Sequence, residues 1–173
     1  MREGKRLDKL DRGVKKLVDG ACLLCGWALL VVVFLMCFEV VARKVFHFSI
    51  QGADEIGGYT IAIISCFGFA AALCHRDHVR IDLFIARAGS RLRHWLDVLA
   101  YLVTAVVATV IAWRAYGVLA ETVEFGSVST SPLQTPMWIP QVLWFSGLLL
   151  FAVVGIFMVV RIACGKTGKS NLD

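Results

Sequence analysis

The sequence predicts an all-α integral membrane protein with four transmembrane helices, and three observations support this. Hydrophobic residues make up 58% of the 173 residues, against about 45–50% in soluble domains. Four apolar runs, at residues 20–42, 56–74, 96–119 and 137–160, are each long enough to cross the roughly 30 Å hydrocarbon core of a bilayer. Charged residues gather between these runs, so we expect one four-helix domain over residues 1–173.

The positive charge of the chain is explained by its membrane context. The net charge is +5, but the basic residues stand beside the apolar runs and are not interleaved with aromatic residues, as they would be on a nucleic-acid-binding surface. We therefore expect the lipid bilayer as a partner and no nucleic acid.

The first span follows a polar leader. Residues 7–18 place apolar side chains on one helical face and basic ones elsewhere, which is typical of an interfacial helix on an anionic membrane surface. A solvated basic leader would explain the spacing equally well. The leader contains several acids and no cleavage site follows the apolar run, so the first span is expected to be retained.

Glu39 and Arg43 lie at the far end of the first span. Their i,i+4 spacing with the acid first favours a helix salt bridge. Charges at that depth are costly unless they are paired or face protein. The pair either ends the span at the interface or makes a polar contact to a partner helix.

The second span is bounded by polar residues at both ends. Asp54 and Glu55 precede it, and His78, Arg80 and Asp82 belong to the polar cluster that follows it. Within the span, small residues between positions 67 and 72 predict a face that packs closely on another helix.

The third span is interrupted by one cation and preceded by an amphipathic stretch. Apolar residues recur at helical spacing over residues 84–95, which predicts a second interfacial helix with Trp95 as an anchor at headgroup level. Arg114 is the most deeply placed charge of the chain. It is expected either to snorkel outward or to pair with an acid such as Glu39 on a neighbouring helix.

A polar loop joins the third and fourth spans. Glu121 and Glu124 lead into a segment rich in Ser, Thr and Pro, which predicts irregular structure. Trp138 then stands at the start of the fourth span as a second expected interface anchor.

The distribution of basic residues predicts the orientation. The leader, the middle connection and the tail carry 15 of the 18 Lys and Arg residues. By the positive-inside rule, both termini and the middle connection are expected to be cytoplasmic. Asp54, Glu55, Glu121 and Glu124 are then expected at the outer rim.

Cys22 and Cys25 form a C-x-x-C pattern that can indicate redox or metal chemistry. Both lie in the first span, near its predicted cytoplasmic end, where thiols stay reduced or pack as small hydrophobes. We therefore expect a structural role. A four-span thiol oxidoreductase remains an alternative, and it would need the cysteine pair at the outer face.

The histidines do not predict a haem or metal site. All four lie at predicted membrane boundaries, whereas axial haem ligands in a helix bundle face each other in its core. His75 and His78 could bind a metal together with Asp82, but the three residues suit a polar cluster at headgroup level equally well. We predict no cofactor and no metal in this chain.

The spans also lack the polar residues of a carrier. No carboxylate stands in the middle of a span, so no ion site or proton relay is predicted. Pro136 and Pro140 lie near one end of a single span, whereas carriers interrupt helices near the midplane in both halves of a repeat. The chain is expected to act as a membrane partner rather than as an enzyme or a pump, with a standalone small channel or exporter as a further alternative.

Several short motifs of the chain are specific enough to compare with a known family. They are Glu39 to Arg43 followed by Phe46, Asp54-Glu55 before the second span, Phe67 to Ala71, His78 to Leu83, and Thr135 to Pro140. Together they resemble those of the small DctQ-type membrane subunit of tripartite ATP-independent periplasmic (TRAP) transporters. The resemblance covers residues 17–161, and the chain differs from many members in having Ala53 where they have a tryptophan.

The resemblance implies a bacterial inner-membrane protein with two protein partners. In this family, a large membrane subunit carries the substrate and sodium sites and moves by an elevator-like mechanism, and a periplasmic binding protein delivers an organic acid. The small subunit would brace the scaffold and help to dock the binding protein. On this interpretation Glu39 and Arg43 form a polar brace near the outer rim, and His78, Arg80 and Asp82 fix the cytoplasmic turn.

Overall fold

The computed structural model describes residues 2–75 and 90–163 and consists of four α-helices there. Each helix contains a stretch long and apolar enough to cross a membrane, so the predicted four-span all-α fold is confirmed. The helices are α1 (Arg2–Phe46), α2 (Ala53–His75), α3 (Ser90–Phe125) and α4 (Trp138–Ala163).

Two helices are longer than the spans predicted for them. Residues 7–18 continue directly into the first span, so they are not a separate interfacial helix. Likewise, α3 already begins at Ser90 and runs through Trp95, while residues 84–89 of the second predicted interfacial helix lie outside the described residues. No proline occurs before Pro132, so nothing in these stretches removes a helical hydrogen bond and forces a bend.

A capping motif marks the end of α3, and a proline lies in the first turn of α4. At the end of α3, the Gly126 amide donates to the Val123 carbonyl at 3.4 Å and the Ser127 amide to the Thr122 carbonyl at 3.1 Å, which is a Schellman motif. Gly126 has φ +58°, a backbone conformation that glycine adopts without strain. Pro140 is the third residue of α4, where its missing amide is one that has no helical partner in any case.

The helices pack in the order α1, α2, α4, α3. The main contacts join α1 to α2, α2 to α4, and α4 to α3. A third of the most apolar window of α4 (33%) is buried, against 6% of that of α1. The fourth helix therefore forms the interior of the unit, and α1 lies at its edge.

Two glycines of α4 allow its neighbours to approach closely. A Cβ atom on Gly147 would lie 2.8 Å from the Cβ of Cys66 and 3.1 Å from the backbone nitrogen of Phe67. A Cβ on Gly155 would lie 3.2 Å from the Cα of Ala105 on α3. The fully buried Ala70 belongs to the small-residue stretch of α2, so the packing predicted for that stretch is present.

One apolar core joins all four helices at the end of the unit where α2 ends and α3 starts, which we call the core end. This buried cluster includes Val18 of α1, Leu73 of α2, Tyr101 of α3 and Met158 of α4, and none of these is more than 8% exposed. The opposite end, which carries the connections 47–52 and 126–137, is called the loop end.

Candidate functional site

The largest polar cluster of the described residues lies at the loop end, around Glu55 in the first turn of α2. The Tyr59 hydroxyl donates to the Glu55 carboxylate at 2.6 Å and also lies 3.2 Å from the sulfur of Met137. The Ser131 hydroxyl donates to the other Glu55 oxygen. Glu55 and Tyr59 thus hold the α3–α4 connection over the start of α2.

The α3–α4 connection has a defined shape of its own. The Ser129 amide donates to the Thr135 carbonyl at 2.9 Å, and the Met137 amide donates to the Ser127 carbonyl at 3.0 Å. These bonds fold residues 127–137 into a short hairpin with Ser131 near its tip. The hairpin therefore places the Ser131 hydroxyl where Glu55 can accept from it.

The first connection contacts the second one. Gly52 has φ +89° and directly precedes α2. A Cβ on this residue would lie 3.0 Å from Cδ1 of Leu133, so the two connections lie against each other. The rim of the loop end is therefore one continuous surface built from both connections.

Glu39 and Arg43 form the predicted ion pair. The Arg43 guanidinium lies 3.5 Å from the Glu39 carboxylate, and the Ser49 hydroxyl donates to the same carboxylate at 3.1 Å. Glu39 is only 5% exposed, whereas the Arg43 side chain is 60% exposed. Through Ser49, Glu39 attaches the first connection to α1, and the Arg43 guanidinium is exposed at the surface.

The other predicted rim residues do not join these clusters. Asp54, Glu121 and Glu124 are exposed, as are the expected anchors Trp95 and Trp138, at 69% and 48%. His78, Arg80 and Asp82 lie outside the described residues.

Arg114 does not pair with Glu39. Glu39 is held on α1, whereas Arg114 is exposed on α3, and these two helices are at opposite edges of the unit. Among the residues described, none forms an ion pair with Arg114. The pairing that we considered from the sequence is therefore wrong.

The core end has one polar contact that the sequence analysis missed. His75, the last residue of α2, lies 2.8 Å through Nε2 from the Asp19 carboxylate of α1. Both residues flank apolar runs at the same predicted membrane face, and this shared level is the signal that could have suggested the pair. The contact joins the end of α2 to α1 beside the apolar core.

The two cysteines of the C-x-x-C pattern are free thiols in α1 and partly exposed. Cys22 packs against the apolar core, which agrees with a role as a small hydrophobe. In residues 2–75 and 90–163, no three His, Cys, Asp or Glu side chains are grouped so that they could hold a metal ion.

Two buried polar residues of the loop end were also missed. Thr122 and Gln141 are each 8% exposed. The Thr122 hydroxyl donates to the Val118 carbonyl at 2.9 Å within α3, while the buried side-chain oxygen of Gln141 accepts no hydrogen bond from the described residues. Single polar residues inside apolar helices give no sequence pattern that would set them apart.

The polar contacts found among the described residues join elements of this chain at the two ends of the unit. They link connection to helix at the loop end and helix to helix at the core end, and they do not line a path between the ends. The arrangement can brace a scaffold and present a shaped rim.

Comparison with known proteins identifies one family. A family model described as "Tripartite ATP-independent periplasmic transporters, DctQ component" matches residues 30–165, which include the C-terminal part of α1 and all of α2, α3 and α4. No curated protein sequence matches the chain.

Proposed function

The chain belongs to the DctQ component family of tripartite ATP-independent periplasmic transporters, and we propose that it is the small scaffold subunit of one such transporter. The observation that carries this proposal is the family match over residues 30–165, which begins within α1 and extends across α2, α3 and α4. The chain is a multi-pass membrane protein whose own polar contacts serve to brace it.

In this proposal the transport chemistry belongs to other components. A large membrane subunit holds the substrate and sodium sites, and a periplasmic binding protein delivers an organic acid. The chain itself is not an enzyme and holds no cofactor. The close α2–α4 packing at Gly147 and the core around Met158 suit a static support against which a moving subunit works.

The proposal places the loop end in the periplasm of a bacterial inner membrane and both termini in the cytoplasm. This orientation rests on the positive-inside rule. The rim formed by the hairpin and the start of α2 is then available to the binding protein, with Asp54, Glu121 and Glu124 as exposed carboxylates on it.

Co-purification from native membranes tests the proposed function. The chain, tagged at its C-terminus, is extracted in mild detergent, and the associated proteins are identified by mass spectrometry against an untagged strain. We expect recovery of one large membrane protein of roughly a dozen spans. Recovery of the chain alone, together with solute flux through liposomes that contain only this chain, would contradict the proposal.

Labelling of single cysteines tests the orientation. The native cysteines are first replaced, and a cysteine is then introduced as Asp54→Cys or Lys169→Cys. A membrane-impermeant maleimide added to spheroplasts should label the first variant and leave the second unlabelled until the membrane is opened. The reverse pattern would place the loop end in the cytoplasm.

A further inference from the structure

The outer face of α3 differs from the other apolar surfaces of the molecule. A groove of about 370 Å³ runs along the seam between α3 and α4, where Leu102, Val106 and Val110 face Ile156 and Val160. Further toward the loop end, the same face of α3 continues into a depression of about 210 Å³ around Arg114 and Glu121. Together they form one strip, which we call the α3 strip.

The α3 strip carries a charge inside the span. Arg114 comes 17 residues after Asp97 and 7 residues before Glu121. At a rise of about 1.5 Å per residue, its Cα lies about 26 Å from one boundary acid and about 10 Å from the other. An intramembrane cation is costly in lipid, so it faces protein or water or, near a helix end, extends its side chain to the interface.

The outer face of α1 provides a contrast. Leu24 and Phe34 there are 72% and 73% exposed, and no charged residue occurs between Asp19 and Glu39. That uncharged face suits lipid. Of the two edge helices, α3 is the one with an exposed cation inside its span and no acid of this chain to pair with it among the described residues.

We propose that the α3 strip is the surface on which a transmembrane helix of the large membrane subunit docks, and that this helix presents a carboxylate to Arg114. The inference rests on the proposed function, since it takes the large subunit as the occupant. It specifies which face of the small subunit forms the interface and which charge determines the register.

The length of the strip suits a transmembrane helix. From Leu102 to Glu121 is 19 residues, or about 28 Å along the helix axis, close to the full thickness of about 30 Å of the hydrocarbon core.

The shape of the strip also fits a helix. The apolar groove between α3 and α4 can take a third helix packed against both. At Gly117 no atom lies within 4 Å of the position of a Cβ, so a second backbone can approach α3 closely there, as small residues permit between helices in lipid. Arg114 stands one turn from this glycine.

Site-specific photo-crosslinking in the intact transporter tests the proposal. A benzophenone amino acid replaces Val110 or Val118 on α3, or Leu24 or Phe34 on α1 as matched exposed controls. Irradiation of native membranes should yield an adduct with the large subunit from the α3 positions and none from the α1 positions. Adducts of the α3 positions with lipid only, or with a second copy of this chain, would overturn the proposal.

A charge variant provides the second readout. Arg114→Leu leaves the partner's carboxylate unpaired, so we expect at least a tenfold loss in recovery of the large subunit, with Arg114→Lys retaining part of it. If Arg114 faces lipid, the Leu variant will co-purify the large subunit as well as the unmodified chain does, and the proposal fails.

The two proposals fail in distinguishable ways. If the unmodified chain recovers the large subunit but its α1 positions are the ones that crosslink, the α3 assignment is wrong and the proposed function stands. If the unmodified chain recovers no large membrane protein, the proposed function is wrong and the α3 inference falls with it.

Discussion

The core end and the loop end of this protein are held together by different interactions. At the core end, side chains from all four helices contribute to a single apolar core around Met158, which is 1% exposed. At the loop end, Glu39 and Glu55 bind the hydroxyls of Ser49 and Ser131, and these contacts attach the connections to the helices.

The difference shows that apolar packing stabilises one end of this membrane protein and polar contacts stabilise the other. In lipid the hydrophobic effect does not drive helices together, so the interior depends on close fit between side chains. Connections at the surface have backbone groups that need partners, and carboxylates at the helix ends position these segments. Substitutions that change side-chain volume should therefore destabilise the core end, and substitutions that remove a charge should loosen the loop end.

The largest effect is expected where the fit is tightest, at the crossing of α2 and α4. Gly147→Leu would place a side chain where even a Cβ meets the Cys66 Cβ at 2.8 Å and the Phe67 backbone at 3.1 Å. Because the backbone of α2 cannot move aside, we expect the free energy of unfolding to fall by about 3 kcal/mol or more. Thermal unfolding of the purified complex in detergent measures it, with Gly68→Leu as the control, since no atom lies within 4 Å of that position. Equal stability of the two variants would refute the close crossing.

Removing volume from the core end should have the next largest effect. Met158→Ala leaves a cavity between four helices, and we expect the free energy of unfolding to fall by about 2 kcal/mol. This lies at the low end for a buried Met, because lipid is as apolar as the protein core. The control Leu24→Ala changes a side chain that is 72% exposed and should have no comparable effect. If both variants unfold at the same temperature, the core end does not depend on packing.

Removing the carboxylate of the loop end should act locally. Glu55→Ala deletes the acceptor for Tyr59 and Ser131, so residues 127–137 should exchange their amide hydrogens faster, while the unfolding temperature of the whole unit changes little. Asp54→Ala, at an exposed neighbouring acid, is the control. Unchanged exchange in the hairpin of the Glu55 variant would show that the Glu55 carboxylate does not hold the hairpin.

The smallest effect is expected from the two thiols of α1. A variant with Cys22→Ala and Cys25→Ala removes the sulfur chemistry and only a little volume, because both side chains are partly exposed. We expect a loss of stability of about 1 kcal/mol or less and unchanged uptake in cells that produce the whole transporter. Loss of uptake with normal recovery of the complex would instead indicate a chemical role for the thiols.

The local features of the fold could be read from the sequence because each depends on residues close together in the chain. Continuous apolar runs predicted the four spans, and the i,i+4 spacing predicted the contact between Glu39 and Arg43. The extent of α1 and α3 was underestimated, since amphipathic flanks were treated as separate helices although no proline interrupts them. The positive-inside orientation stays a prediction.

The contacts between distant residues could not be read in the same way. Glu55 and Ser131 are 76 residues apart and Asp19 and His75 are 56 apart, and no spacing rule connects such pairs. The sequence alone also suggested that Arg114 could pair with Glu39, which the packing order of the helices excludes.

The sequence by itself determined that this protein crosses the membrane four times and which family it belongs to, because hydropathy and short motifs are local properties of the chain. Only the tertiary structure decided that α4 lies inside, that Glu55 holds the hairpin and that Arg114 faces outward. These depend on which helix faces approach each other, and that is set by close fit at positions such as Gly147 and Gly155, where a difference of one side chain changes which helices can meet.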